Sequence, residues 1–217
     1  MTRSISGRYR KSLMSESEKS RCGPRSKMRK RQAGVAAVEF ALLAVTFFTI
    51  VFSIIEVARA VYLFNTLQEV TRRAAADAAN SAFDPASQAE VRRRALFRNA
   101  QGNLILGFPV TPDHLKIDYL SVSGDPNAGT LTTQRVSTLP ACPAANVINC
   151  MSDPYGASCI RLVQVRVCQP EDGGDCTPVP YQAALPLIDL SAVTLPRATT
   201  IVPAQTLGST PEALSCQ

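Results

Sequence analysis

From Val35 to Ile55 the chain runs apolar for 21 residues, and Glu39 is the only charge in the run. At a rise of about 1.5 Å per residue, a helix of this length spans roughly 32 Å, close to the hydrocarbon core of a bilayer. A core helix of a soluble protein is the competing reading. Such helices rarely stay apolar all round for this length, which disfavours it. The helix is expected to continue past the apolar run. Glu56–Ala82 contains neither Pro nor Gly. Within it Val57, Val61, Phe64, Leu67, Ala74 and Ala78 recur at helical spacing between charged residues. Asp84-Pro85 should end the pattern, because the residue before proline is biased away from helix. One helix from residue 36 to 82 would be roughly 70 Å long. Its outer half is amphipathic and must pack on its own domain or on a neighbouring subunit.

A second helix is expected near Ser87, where Ser87 and Glu90 have capping-box spacing and Ala89–Phe97 carries a helical pattern. Beyond Gly102 the pattern changes to strands and turns. Leu115–Tyr119 and Val163–Val167 alternate apolar and polar positions. Gly124-Asp125-Pro126-Asn127 and Asp172-Gly173-Gly174-Asp175 read as turns. Val193–Val202 supplies a further strand, and Pro196 within it points to a sheet edge. The predicted fold class is α+β: a long N-terminal transmembrane and amphipathic helix, a short second helix, then a small antiparallel sheet head with disulfides. Three regions follow: a basic leader of residues 1–34, a long helix of 35–82 with its membrane part at 35–55, and an exported head of 83–217.

Charge and cysteine usage orient this architecture. Residues 1–34 hold 11 Lys/Arg and 2 acids, whereas the rest holds 12 Lys/Arg and 15 acids. The segment 1–33 is too polar to bury a core and is expected to be disordered. Its basic residues, ending in Arg29, Lys30 and Arg31, place the N-terminus in the cytoplasm by the positive-inside rule. A basic tail can also serve nucleic acid. This one has a single aromatic, Tyr9, and no recognition motif, so contact with anionic lipid is the better reading. The C-terminal region is then periplasmic, and the protein a single-pass inner-membrane protein. Of seven cysteines, only Cys22 precedes the apolar run. Cys142, Cys150, Cys159, Cys168, Cys176 and Cys216 follow it, an even set that reads as disulfides in an oxidising compartment. Six cysteines allow 15 pairings. Cys168–Cys176, across the Asp172–Asp175 turn, is the first expectation.

The stretch that carries chemistry is Arg31-Gln32-Ala33-Gly34-Val35-Ala36-Ala37-Val38-Glu39-Phe40. A carboxylate placed in hydrocarbon costs up to about 3 kcal/mol at mid-bilayer. If the bond after Gly34 is cut, Val35 gains an α-ammonium one helical turn from Glu39. That charge can neutralise the Glu39 carboxylate of an axially staggered neighbouring helix. Gly34, with Glu39 and Phe40 as fifth and sixth residues beyond it, is similar to the processing site of type IV pilin-like proteins. The wider phrase from Gly34 to Leu43, followed by Ile55-Glu56-Val57-Ala58-Arg59, resembles the TadE-like pseudopilins of the Tad (Flp-type) pilus system. The resemblance covers residues 31–80. It implies cleavage between Gly34 and Val35 by a prepilin peptidase. It also implies a place as a minor pilin or assembly factor beside other pilins and the Tad machinery, in a secretion-linked adhesive pilus. Main pilins of such systems usually have Tyr after the Glu and almost no domain after the helix. Phe40 and a head of 135 residues suit a minor component that caps, initiates or decorates the fibre.

Other readings are weaker. Glu39 could simply snorkel, since it lies about one turn from the end of the run. Ala58-Arg59-Ala60 has the form of a signal-peptidase site that would release a secreted domain beginning at Val61. The preceding run exceeds an ordinary signal-peptide core, however, and Glu56 interrupts the approach. An uncleaved, membrane-anchored scaffold or binding protein is the main alternative. No C-x-x-C pair occurs and His114 is the only histidine, so neither a zinc site, a cofactor nor a Ser/His/Asp triad is expected. Glu171–Asp175 lacks the ligand spacing of a calcium loop. The chain is expected to be a substrate of an enzyme and not an enzyme itself.

Overall fold

The computed structural model describes residues 32–97, 102–125, 129–170, 176–184, 190 and 192–208. The basic segment before residue 32, with Cys22, lies outside the described residues. So do the Asp172–Asp175 turn, Pro126 and Asn127 of the Gly124–Asn127 turn, and Cys216.

Helix α1 runs Gln32–Asn80 as one uninterrupted element. The chain divides after Phe47 into two compact units. In the first, the described side chains from Gly34 onward are exposed except for half-buried Ala44. In the second, the later part of α1 buries one face. That face consists of Leu63, Leu67, Val70, Thr71, Ala74, Ala75, Ala78 and Ala79. Its steps of three and four residues are those of a single helical stripe. The expected stripe was therefore partly out of phase. Leu67, Ala74 and Ala78 are buried, but Val57, Val61 and Phe64 remain exposed. Two apolar stripes interleave in this part of the sequence, and the head covers only the one through Leu63 and Leu67.

Helix α2 spans Pro85–Ala95 and buries Val91 and Ala95. It starts earlier than Ser87. Asp84 is the N-cap, its carboxylate accepting from the Ser87 N–H at 3.0 Å, and Pro85 occupies the first turn. Proline is well placed there, because its missing N–H would have had no helical partner. The Asp-Pro pair thus starts α2, while α1 already ends at Asn80, short of the expected residue 82.

Four antiparallel strands form one sheet in the order β2-β1-β3-β4. They are β1 Leu115–Asp125, β2 Thr130–Arg135, β3 Leu162–Val167 and β4 Thr199–Pro203. The α+β architecture read from the sequence is the observed one. Cross-strand pairs Leu115–Val167, Ile117–Val165 and Tyr119–Val163 line the buried face. They share one core with the α1 stripe. Four alanines in that stripe permit close approach, and Thr71 of α1 meets Thr200 of β4 through their hydroxyls at 3.0 Å. β4 is an edge strand, as expected, but it begins beyond Pro196. Asp118 of β1 is buried and is neutralised by Arg166 at 2.7 Å and Arg135 at 3.0 Å.

One element contradicts the expectation of strands and turns beyond Gly102. Helix α3, Pro143–Ser152, starts with Pro143 in its first turn and Cys142 as N-cap. Asn146 on this helix accepts from the Ile160 N–H at 2.8 Å, and the Cys150–Cys159 disulfide fixes the helix end to the same segment. A second disulfide joins Cys168 to Cys176, the pair first expected. Cys142 is also disulfide-bonded.

The end of α1 is closed by the chain beyond β4. A helix leaves its last carbonyls without internal partners. Here the Ala79 carbonyl accepts from the N–H groups of Gln205 (3.2 Å) and Leu207 (3.1 Å). Gly208, at φ +75°, follows. A Cβ there would lie 2.5 Å from the Ala82 nitrogen, so glycine is required for the chain to pass this close.

Candidate functional site

Two places on α1 concentrate chemistry, and each belongs to a different unit. The first is the start of the helix. Gly34, Val35, Glu39 and Phe40 all lie in helical backbone and all are exposed. Val35 is 69% and Phe40 73% accessible. Gly34, Val35, Val38, Glu39 and Leu42 share one side of the helix and line a shallow apolar groove. A Cβ built on Gly34 would meet nothing within 4 Å, and its φ is not positive. Among the described residues neither backbone conformation nor packing requires glycine at that position. Glu39 has no hydrogen-bond or ion-pair partner among the described residues. Among the described residues the start of the helix therefore offers a small residue, a carboxylate and large apolar side chains outward.

The second place is the charged pair just beyond the apolar run. Glu56 is 7% accessible. Its Oε1 accepts from the Tyr181 hydroxyl at 2.5 Å, the Ala184 N–H at 3.2 Å and Arg59 Nη1 at 3.2 Å. Arg59 spends its remaining donors on backbone carbonyls. Nη1 donates to Gln182 at 2.7 Å, Nη2 to Phe108 at 3.0 Å and Nε to Leu106 at 3.1 Å. The guanidinium also lies 5.4 Å from the centre of the Tyr181 ring. Burial works to raise the Glu56 pKa. The bonds from Tyr181 and Ala184 and the nearby Arg59 outweigh it and hold the carboxyl below its ordinary value. Burial and the same Glu56 bond push Tyr181 up. This is a latch: one acid and one base on successive turns of α1 tie two separate loops to the helix. In the sequence Arg59 stood out in the phrase Ile55-Glu56-Val57-Ala58-Arg59 that carries the resemblance and in a rival cleavage signal, not as a tether. The carbonyls it binds lie 47 to 123 residues away, beyond the reach of any local pattern.

Other chemistry-bearing residues have structural roles. His114 ends a 3-10 turn, Pro112–His114, and its Nδ1 accepts from the Thr111 N–H at 3.1 Å. Burial lowers its pKa. Among the described residues no three His, Cys, Asp or Glu side chains gather as a metal site.

One helix among the described residues, Gly34–Asn80, is long and apolar enough to cross a membrane. Residues 34–76 match the model of a protein family described as TadE-like protein. The match takes in both places on α1 and stops short of α2. No curated protein and no solved structure matches the chain.

Proposed function

We propose, from the premise that this chain is TadE-like over residues 34–76, that it is a minor pilin, or pseudopilin, of a Tad pilus. In this reading a prepilin peptidase cuts between Gly34 and Val35. The chain is the substrate of that reaction and catalyses none. Before the cut it is a single-pass inner-membrane protein with its basic leader in the cytoplasm and its disulfide-bonded head in the periplasm. After the cut, the Val35 α-ammonium neutralises Glu39 of a neighbouring pilin helix, and Val38–Ile55 exchanges lipid for other pilins in an adhesive fibre.

The observation that carries the proposal is the outward display of Gly34, Glu39 and the surrounding exposed apolar side chains at the start of α1. Such a surface needs a solvent or a partner other than water. A glycine that nothing in the chain demands is explained by recognition from outside. N-terminal sequencing of protein taken from its native membrane tests the cut. A mature chain beginning at Val35 is expected. An intact leader would favour an uncleaved, membrane-anchored scaffold, and a start at Val61 a secreted domain. Gly34→Val should leave the helix intact and block the cut. Glu39→Val should permit insertion and cleavage but abolish pilus assembly; unchanged piliation would remove Glu39 from the mechanism.

A further inference from the structure

We infer that the turn Leu104–Val110 is an interfacial foot, which lays Ile105, Leu106 and Phe108 into the lipid leaflet around the point where α1 leaves the membrane. The turn is tightly built. The Leu104 N–H donates to Val110 O at 2.8 Å, Gly107 N–H to Leu104 O at 2.9 Å and Val110 N–H to Gly107 O at 2.9 Å. Its two ends are buried, Leu104 at 2% and Val110 at 0% accessible. Between them Ile105, Leu106 and Phe108 stand 52%, 69% and 51% accessible. No charged residue occurs from 102 to 110. Leu106 has φ 54°, a left-handed conformation in which turns normally carry Gly, Asn or Asp. A large apolar side chain held outward in such a conformation contributes nothing to the fold of the head. It calls for something apolar outside.

The latch sets the level of this turn. Arg59 donates to the carbonyls of Leu106 and Phe108 with the same guanidinium that meets Glu56, and the Tyr62 hydroxyl approaches Ile105 O at 3.4 Å. Helical side chains lean toward the N-terminus, and Glu56 is the residue immediately after Ile55, where the apolar run ends. The turn is therefore pinned within about one helical turn of the membrane boundary. Ile54, Ile55, Val57 and Val61 are also exposed on α1 at this level of the helix. An uncharged apolar projection at that level fits the region between headgroups and acyl chains. This inference rests on residues 35–55 being the membrane anchor.

The chain has no tryptophan, so a single introduced one reports on its own surroundings. Full-length protein carrying Phe108→Trp, Ile105→Trp, Ile50→Trp or Leu131→Trp is reconstituted into phosphatidylcholine vesicles with brominated acyl chains. Phe108→Trp and Ile105→Trp should be quenched and blue-shifted, most strongly by bromine close to the headgroup. Ile50→Trp should be quenched by deep bromine, and Leu131→Trp, on β2, should not be quenched. If Ile50→Trp is quenched while both turn variants emit as in water, the foot is wrong and the anchor stands. If Ile50→Trp also escapes quenching, the anchor falls and the foot with it. Blue-shifted but unquenched emission that weakens as protein is diluted into lipid would assign the turn to a second copy of the chain, and overturn the proposal.

Discussion

The stretch of α1 up to Ile55 and the stretch from Leu63 onward are both helical and both rich in apolar residues, yet their side chains meet opposite surroundings. Phe40 and Leu43 are 73% and 66% accessible, whereas Leu63 and Leu67 are fully buried. The difference lies in distribution. The early stretch carries large aliphatic and aromatic residues on every side. The later one buries a single stripe of them, leaves Phe64 outside it, fills in with alanine where the sheet approaches, and places Glu69, Arg72 and Arg73 on the other side. Apolar content alone thus does not say whom a residue serves. A stripe is buried by the sheet and loops packed on it; a full circumference stays exposed among the described residues. Glu56 and Arg59 stand where one regime gives way to the other.

Substitutions should break this comparison in a graded way. The largest effect is expected at the boundary. Arg59→Ala leaves Glu56 buried without its cation and frees two loops, and loss of one member of a buried pair costs about 3–5 kcal/mol. Urea unfolding of the detergent-solubilised protein, followed by tyrosine near-UV circular dichroism, would read it. Next, Leu67→Ala should cost about 2–5 kcal/mol in the same assay. Leu43→Ala, an equal truncation in the bare stretch, should leave the midpoint where it is. A comparable loss from both would erase the distinction drawn here. A third test is acid titration. Because the folded-state pKa of Glu56 is lowered, its stabilising contribution is complete above the ordinary value of 4.5 and is lost as pH falls through the folded value. Glu56→Gln should be less stable than the parent at neutral pH and show a shallower loss below pH 4.5. The smallest effect is expected at Asp84→Ala, which removes the α2 cap for about 1 kcal/mol. Its carboxyl pKa is also lowered, chiefly by the hydrogen bonds from Ser87, so this difference from the parent should likewise fade in acid.

Much of the fold was legible because its signals are local. The span of α1 follows from the absence of proline and glycine after Gly34, and β1 and β3 from strict alternation about Ile117 and Val165. The phase of the buried stripe was harder to read. Val57, Val61 and Phe64 have the same spacing as Leu63, Leu67 and Val70, and only the sheet selects between them. α3 was hidden because its stabilising contacts, Asn146 to Ile160 and Cys150 to Cys159, are tertiary. At the start of α1, Glu39 stands out as a lone acid in an apolar run, and the resemblance to pilin-like proteins singled out Gly34, Val35 and Phe40 beside it. The latch could not, since Tyr181, Gln182 and Phe108 carry no mark of their destination.

The closure of α1 at Ala79 has a mechanical consequence. The later part of the helix is fastened near one end by Glu56 and Arg59, and at the other by Gln205 and Leu207. A pull along the helix axis therefore loads both fastenings in shear at once, with the Leu63–Ala78 stripe gripping between them. Bonds loaded together must fail together, whereas bonds peeled open fail one by one. The head is thus attached in the manner that best resists being drawn off its own stem.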